Sequence, residues 1–214
     1  VSVLLDDPAQ RAAYWPLPIA RAIPAAALAL VITFSADHSA TLGLLAFGGF
    51  AIVSGLVVAV LASRRMGRAA VGSVLLAQGV VSVVLGAVAL ALPRGVASLF
   101  LVLTVWAALT GALELYNGLR SRGRHVASAD LVSVGVLTAA AAIVFVLIPP
   151  EFAQQFRGPD GIDRVLDSAI VAVGLLGAYA AIIAVYLVIA GLSAKWGPQK
   201  SAPAATDAVK GEST

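Results

Sequence analysis

Apolar residues run along this chain in blocks of about twenty, parted by short polar stretches. A helix crossing a hydrocarbon layer of ~30 Å at a rise of ~1.5 Å per residue needs about that many. Six segments meet the requirement: 18–36, 41–62, 69–92, 95–119, 130–149 and 168–192. The third is the clearest, with no charge between Arg68 and Arg94. The first is crowded at its start by Pro16 and Pro18, which the opening turn of a helix tolerates, while Pro24 lies deeper and should kink it. The pattern predicts an all-α, polytopic transmembrane bundle over 18–192, preceded by a cytoplasmic or interfacial segment 1–17 and followed by a polar tail 197–214.

Composition points the same way. The chain is 60% hydrophobic and 12% charged, with a mean hydropathy of +0.98. A soluble domain is about half apolar and about a quarter charged, so the solvent that suits this chain is a lipid bilayer. The net charge of +3 does not indicate nucleic acid, because the basic residues sit in gaps between apolar runs. Of the 14 basic residues, 11 fall on one side: Arg11 and Arg21, Arg64, Arg65 and Arg68, Arg120, Arg122 and Arg124, and Lys195, Lys200 and Lys210. Arg94, Arg157 and Arg164 fall on the other. The positive-inside rule then places both termini in the cytoplasm. There are no cysteines, which removes disulfides, thiol catalysis and thiolate metal sites.

The ends read differently from the middle. Asp7-Pro8-Ala9-Gln10 has the form of an N-cap, a first-turn proline and a capping-box partner, opening a short interfacial helix. Tyr14 and Trp15 are of the type that settles among headgroups. The first apolar run lacks a small-residue cleavage pattern and reads as an uncleaved span. The tail from Gly197 is too polar to bury a core and is expected to be disordered in the cytoplasm.

The chain also resembles itself. A shift of 56 residues aligns Asp37 with Pro93 and Pro149, Gly55 with Gly111, Arg64 with Arg120 and Gly79 with Gly135. The spans therefore group as three helical hairpins, about 18–65, 69–124 and 130–195, inserted in one orientation with approximate threefold symmetry about the membrane normal. The third copy has about 17 extra residues in its outer loop. In lipid, helices associate by close backbone approach at small residues. Gly72, Gly79 and Gly86 form one such stripe, and Gly111 and Gly118 another.

The run from Gln78 to Arg122, QGVVSVVLGAVALALPRGVASLFLVLTVWAALTGALELYNGLRSR, resembles the repeat of the HdeD-like acid-resistance membrane proteins, a family of small bacterial six-span proteins. The resemblance rests on Gly86 in the first helix, Pro93 at the turn, and Gly111 and Glu114 before the basic residues. In the first copy Asp37 and Val58 stand at the proline and glutamate positions, and in the third Ala184 and Leu187 replace the glycine and glutamate. The resemblance implies a bacterial inner (plasma) membrane protein linked to acid or envelope stress, with no defined chemistry. The Ala- and Val-rich composition suits a high-GC bacterium.

Glu114 is the carboxylate placed inside a span, and ionisable groups there are functional candidates by default. Gly111, Asn117 and Gly118 share its face. Two readings stand: an anchor bonded to Asn117 or paired with a repeat-related arginine such as Arg64, or a site that titrates. Asp37 and His38 form the first outer turn and His125 lies in a basic loop. The two histidines are on opposite sides and share no metal. In the third outer loop, Phe152 and Phe156 suggest a short interfacial helix, Gly158-Pro159-Asp160-Gly161 a turn, and Arg164 a pair with Asp160 or Asp167. No nucleophile–base arrangement, phosphate loop or catalytic carboxylate pair appears, so neither enzymatic activity nor a cofactor is expected. A membrane-protein partner or homo-oligomer remains open, as does a role as accessory subunit or, with less support, as transporter or channel.

Overall fold

The computed structural model describes residues 7–66, 70–159 and 161–196. The described residues are helical apart from short turns and one outer loop that carries a β-hairpin. A short helix, α1 (Pro8–Tyr14), leads into α2 (Pro16–Phe34), followed by α3 (Ala40–Leu61), α4 (Ala70–Ala91), α5 (Val96–Arg120), α6 (Ser128–Leu147) and α7 (Ser168–Trp196). Among the described residues, six helical stretches are long and apolar enough to cross a membrane; their bounds follow the apolar runs to within a few residues, except that the first begins at Pro8, ten residues before the expected start. The expected disordered tail lies outside the described residues, as do Arg68, Asp160, Lys200 and Lys210.

Local chemistry explains the helix starts. Asp7 caps α1, its Oδ1 accepting from the amides of Ala9 and Gln10 at 2.8 and 3.4 Å. The reciprocal half of the expected capping box is not formed. Gln10 Oε1 instead accepts from Val126 N at 3.4 Å and ties α1 to the α5–α6 turn. Ser39 caps α3 and is itself held by Asp37, which accepts from Ser39 N at 2.8 Å and Ser39 Oγ at 2.9 Å. Asp37 thus works as a turn former. Helix α2 continues through Pro24, and α3 ends in a wider π-turn, Ala62–Met66, that carries Arg64 and Arg65.

Outside the bundle the expected interfacial helix at Phe152–Phe156 is replaced by a β-hairpin. Strands β1 (Ala153–Arg157) and β2 (Asp163–Asp167) pair antiparallel, from Ala153 opposite Asp167 to Arg157 opposite Asp163. The turn between them needs Gly161 at φ +75°, a left-handed conformation that glycine adopts without strain. With only five residues on each side of a tight turn, the segment is too short for a stable helix, and pairing its backbone groups is the better alternative. Asp167 then caps α7, accepting from Ile170 N at 2.9 Å.

The most extensive helix contacts join α3 with α4, α5 with α6, and α7 with α2, and lesser contacts between α2 and α3 and between α4 and α5 link these pairs. Glycine makes the first two approaches possible. A Cβ on Gly79 would lie 2.6 Å from Gly55 O and 2.8 Å from Ala59 N. One on Gly135 would lie 2.7 Å from Leu115 N, and one on Gly111 2.8 Å from Ala139 N. Gly86 and Gly118 are equally tight, against Gly48 O and Val132 N, and Gly72 is buried on the same helix as Gly79. The two glycine stripes are therefore helix-packing surfaces, matched by Gly48, Gly55 and Gly135 on the facing helices. Helices α6 and α7, though consecutive, barely touch.

Outward, the bundle presents Ile23, Phe34, Leu101, Ile143, Leu147 and Val185, each more than half exposed. Less than half of each spanning stretch is buried within the protein. An apolar belt this continuous is unsuited to water and matches a hydrocarbon layer. The interior holds Phe47, Leu44, Leu99, Leu103 and Leu176, and an aromatic cluster in which Trp106 meets Phe47, Phe50 and Tyr179 edge-on at 5.4–6.1 Å.

Candidate functional site

Glu114, on α5, is 1% exposed and faces the bundle interior. Neither partner expected for it is the one it has. Asn117, one turn on, donates to Val71 O of α4 at 3.1 Å, and Arg64 lies in the exposed π-turn. Glu114 Oε1 instead accepts from Arg21 Nη2 of α2 at 2.5 Å and from Gln78 Nε2 of α4 at 2.7 Å. One carboxylate oxygen thereby joins three helices. Arg21, counted above only among the charges that set orientation, is the charged residue of α2. Its side chain is 12% exposed.

Helix geometry sets the depth. Arg21 lies five residues from the start of α2 and Glu114 six from the end of α5, about 8–9 Å along their axes. Both are below the surface but within an arginine's reach of it. An unpaired charge at that depth is costly, whereas a hydrogen-bonded ion pair is tolerated. Glu114 holds Arg21, Arg21 neutralises Glu114, and Gln78 fixes the carboxylate from the other side.

From the pair a narrow cavity of about 20 Å³ extends inward, lined in part by Arg21, Gln78, Ser82, Trp106, Thr110 and Tyr179. Trp106 Nε1 donates to Ser82 Oγ at 3.1 Å, and Thr110 Oγ1 donates to Trp106 O at 2.7 Å. Thr138 Oγ1 lies 2.8 Å from both Val134 O and the Tyr179 hydroxyl. Since the threonine has one hydrogen and Val134 O can only accept, Tyr179 donates to Thr138. These hydroxyls escaped the sequence reading because serine and threonine are common in spans. The available sign was the 56-residue shift, which pairs Ser82 with Thr138.

A second polar cluster lies nearer the helix ends. Tyr14 and Tyr186 both donate to Asp130, at 3.0 and 3.1 Å, joining α1, α6 and α7. Tyr14, expected among the headgroups, is 3% exposed and turned into the bundle. Trp15 keeps an interfacial contact, with Lys195 Nζ 4.7 Å above its ring. His125 packs edge-on against Tyr14, and its Nδ1 accepts from Ala127 N at 3.1 Å, so the ring is neutral at that nitrogen. Burial lowers the His125 pKa from 6.5, partly opposed by Asp7. In the outer hairpin Arg157 pairs with Asp163 at 3.9 Å, both well exposed. Among the described residues, no three His, Cys, Asp or Glu side chains gather closely enough to hold a metal.

The fold defines a multi-pass integral membrane protein. Compared with family models, curated proteins and solved structures, the chain has no match.

Proposed function

We propose that this chain is a non-enzymatic protein of the bacterial inner membrane, similar to the HdeD-like proteins, that serves under acid or envelope stress through the centre formed by Arg21, Glu114 and Gln78. The observation that carries this reading is a buried ion pair tied to three helices beside a cavity of only about 20 Å³. A centre so enclosed suits a fixed polar group better than a path for solutes, which needs broken helices or an open site at the midplane.

Both termini lie in the cytoplasm on this reading, supported by the uneven placement of Lys and Arg. Three related hairpins supply the spans. The support is that Gly55, Ala59 and Gly79 meet as Gly111, Leu115 and Gly135 do, each position 56 residues from its counterpart. The test is survival of a strain lacking the gene after acid and envelope challenge. Wild-type chain should restore survival and Glu114→Gln, at equal membrane abundance, should not. A deletion strain indistinguishable from its parent in both challenges counts against the role.

A second reading, an accessory subunit of a larger membrane complex, is favoured by one feature. Between α6 and α7 lies an apolar groove of about 200 Å³, lined by Leu137, Ala141, Phe145, Leu175, Ala178 and Ile182. Purification in mild detergent with a stoichiometric partner supports that alternative; a monodisperse lone chain opposes it.

A further inference from the structure

Among the described residues, Gln78 Oε1 and Arg21 Nε are buried polar atoms with no partner from the protein, and both residues line the same cavity. Gln78 is 4% exposed. Its amide is not free to turn over, because Nε2 donates to Glu114 Oε1 at 2.7 Å and a flip would set oxygen against carboxylate. Leaving a buried acceptor unmet is costly, and leaving a charged donor unmet is more so.

The hydroxyls around the same space have capacity to spare. Ser82 Oγ accepts from Trp106, and its own hydrogen is not used in that bond. Thr110 and Tyr179 spend their hydrogens on Trp106 O and Thr138, and each keeps a lone pair to accept with. Donors and acceptors thus both converge on a space of about 20 Å³. A buried water needs roughly 10–15 Å³ and two to four polar partners, whereas cavities that stay empty are apolar. The space admits one water and excludes larger solutes.

We propose that this cavity is a water-binding site, in which a single buried water donates to Gln78 Oε1, accepts from Arg21 Nε or the Ser82 hydroxyl, and gives its second hydrogen to Tyr179 or Thr110. The water completes the hydrogen bonding of the ion pair and is part of what makes charge at this depth tolerable. The site stands on the cavity and its unmet atoms alone, and holds whether or not the chain has a role in stress.

The test is a high-resolution structure of the full chain in a lipidic mesophase, with matched crystals pressurised with xenon. A density peak at about 2.7–3.2 Å from Gln78 Oε1, with xenon absent from the cavity, is the expected result. Xenon in the cavity without a water peak would overturn it, since that marks a dry apolar void. Direct donation from Arg21 Nε to Gln78 Oε1, with the space closed, would overturn it equally. In solution, nuclear Overhauser contacts from a long-lived water to the Gln78 amide and Arg21 Hε are expected in lipid nanodiscs; their absence, with both signals assigned, contradicts the site.

Discussion

Replacing Glu114 with leucine removes the acceptor of two hydrogen bonds, from Arg21 and from Gln78, and leaves the arginine without its counter-charge. Hydrogen bonds to charged groups contribute about 1.5–3 kcal/mol each, which sets a range of about 3–6 kcal/mol. Breaking a buried pair costs about 3–5 kcal/mol by direct comparison. Arg21 keeps 12% exposure and sits about 8 Å from the end of α2, so it can extend toward the headgroups and recover part of the loss. The expectation for Glu114→Leu is therefore the low end, about 3 kcal/mol. Arg21→Met strands the shorter Glu114, which is 1% exposed and cannot reach the surface, and should cost about 4–5 kcal/mol. The double variant removes both charges. It should fall at least about 2 kcal/mol short of the sum of the singles. Unfolding in mixed micelles, followed by helical circular dichroism and by tryptophan fluorescence, measures all four proteins. Additive losses, or a Glu114→Leu cost under about 1 kcal/mol, would mean that the pair behaves as an exposed one and the reasoning fails.

Two further predictions are independent of that pair. Gly79→Ala should destabilise by about 1–3 kcal/mol, because its Cβ would meet backbone at 2.6 Å, while Gly49→Ala, with nothing within 4 Å, should be neutral or stabilising by up to about 1 kcal/mol; equal melting temperatures for the two would contradict the packing account. For His125 the lowered pKa means that the unfolded chain takes up a proton first as pH falls, so its contribution to stability is present above pH 6.5 and is lost on descending from 6.5 through the lowered folded value. The melting temperature of the wild type should therefore drop more than that of His125→Gln between about pH 7 and pH 5, and parallel curves would refute the assignment.

The bundle was legible in the sequence because a bilayer imposes a length, and an uncharged stretch such as the one between Arg68 and Arg94 admits little else. The glycine stripes were legible for a related reason: in lipid, a repeated glycine has packing as its main use, and Gly79, Gly86, Gly111 and Gly118 all serve it. Glu114 stood out as a charge in a span, but its partners did not. Periodicity along one helix says which face is buried, and nothing about which helix lies opposite. The joining of α2, α4 and α5 at one carboxylate is a property of the tertiary packing. Arg21 was hidden by its position, close enough to the basic end of α2 to be counted as an orientation signal. A lone arginine and a lone glutamate at similar depth in two spans were nevertheless a pair waiting to be matched, since neither is tolerable alone. In the outer loop the spacing of Phe152 and Phe156 suggested a helix, whereas the tight turn and facing five-residue segments settled on a hairpin. Tyr14 looked interfacial by residue type, and the distant Asp130 drew it inward.

The proposed topology, six spans with both ends of the chain on the cytoplasmic side, is directly measurable because the chain has no native cysteine. Single cysteines placed at exposed positions, Asp37, Arg94 and Glu151 on one side and Ser63 and Arg122 on the other, report their side by reaction with a membrane-impermeant maleimide. In intact spheroplasts the first three should label, and the other two only after the membrane is opened. Labelling of Ser63→Cys or Arg122→Cys without opening, or protection of the outer three, would contradict the arrangement on which the Arg21–Glu114 centre is placed.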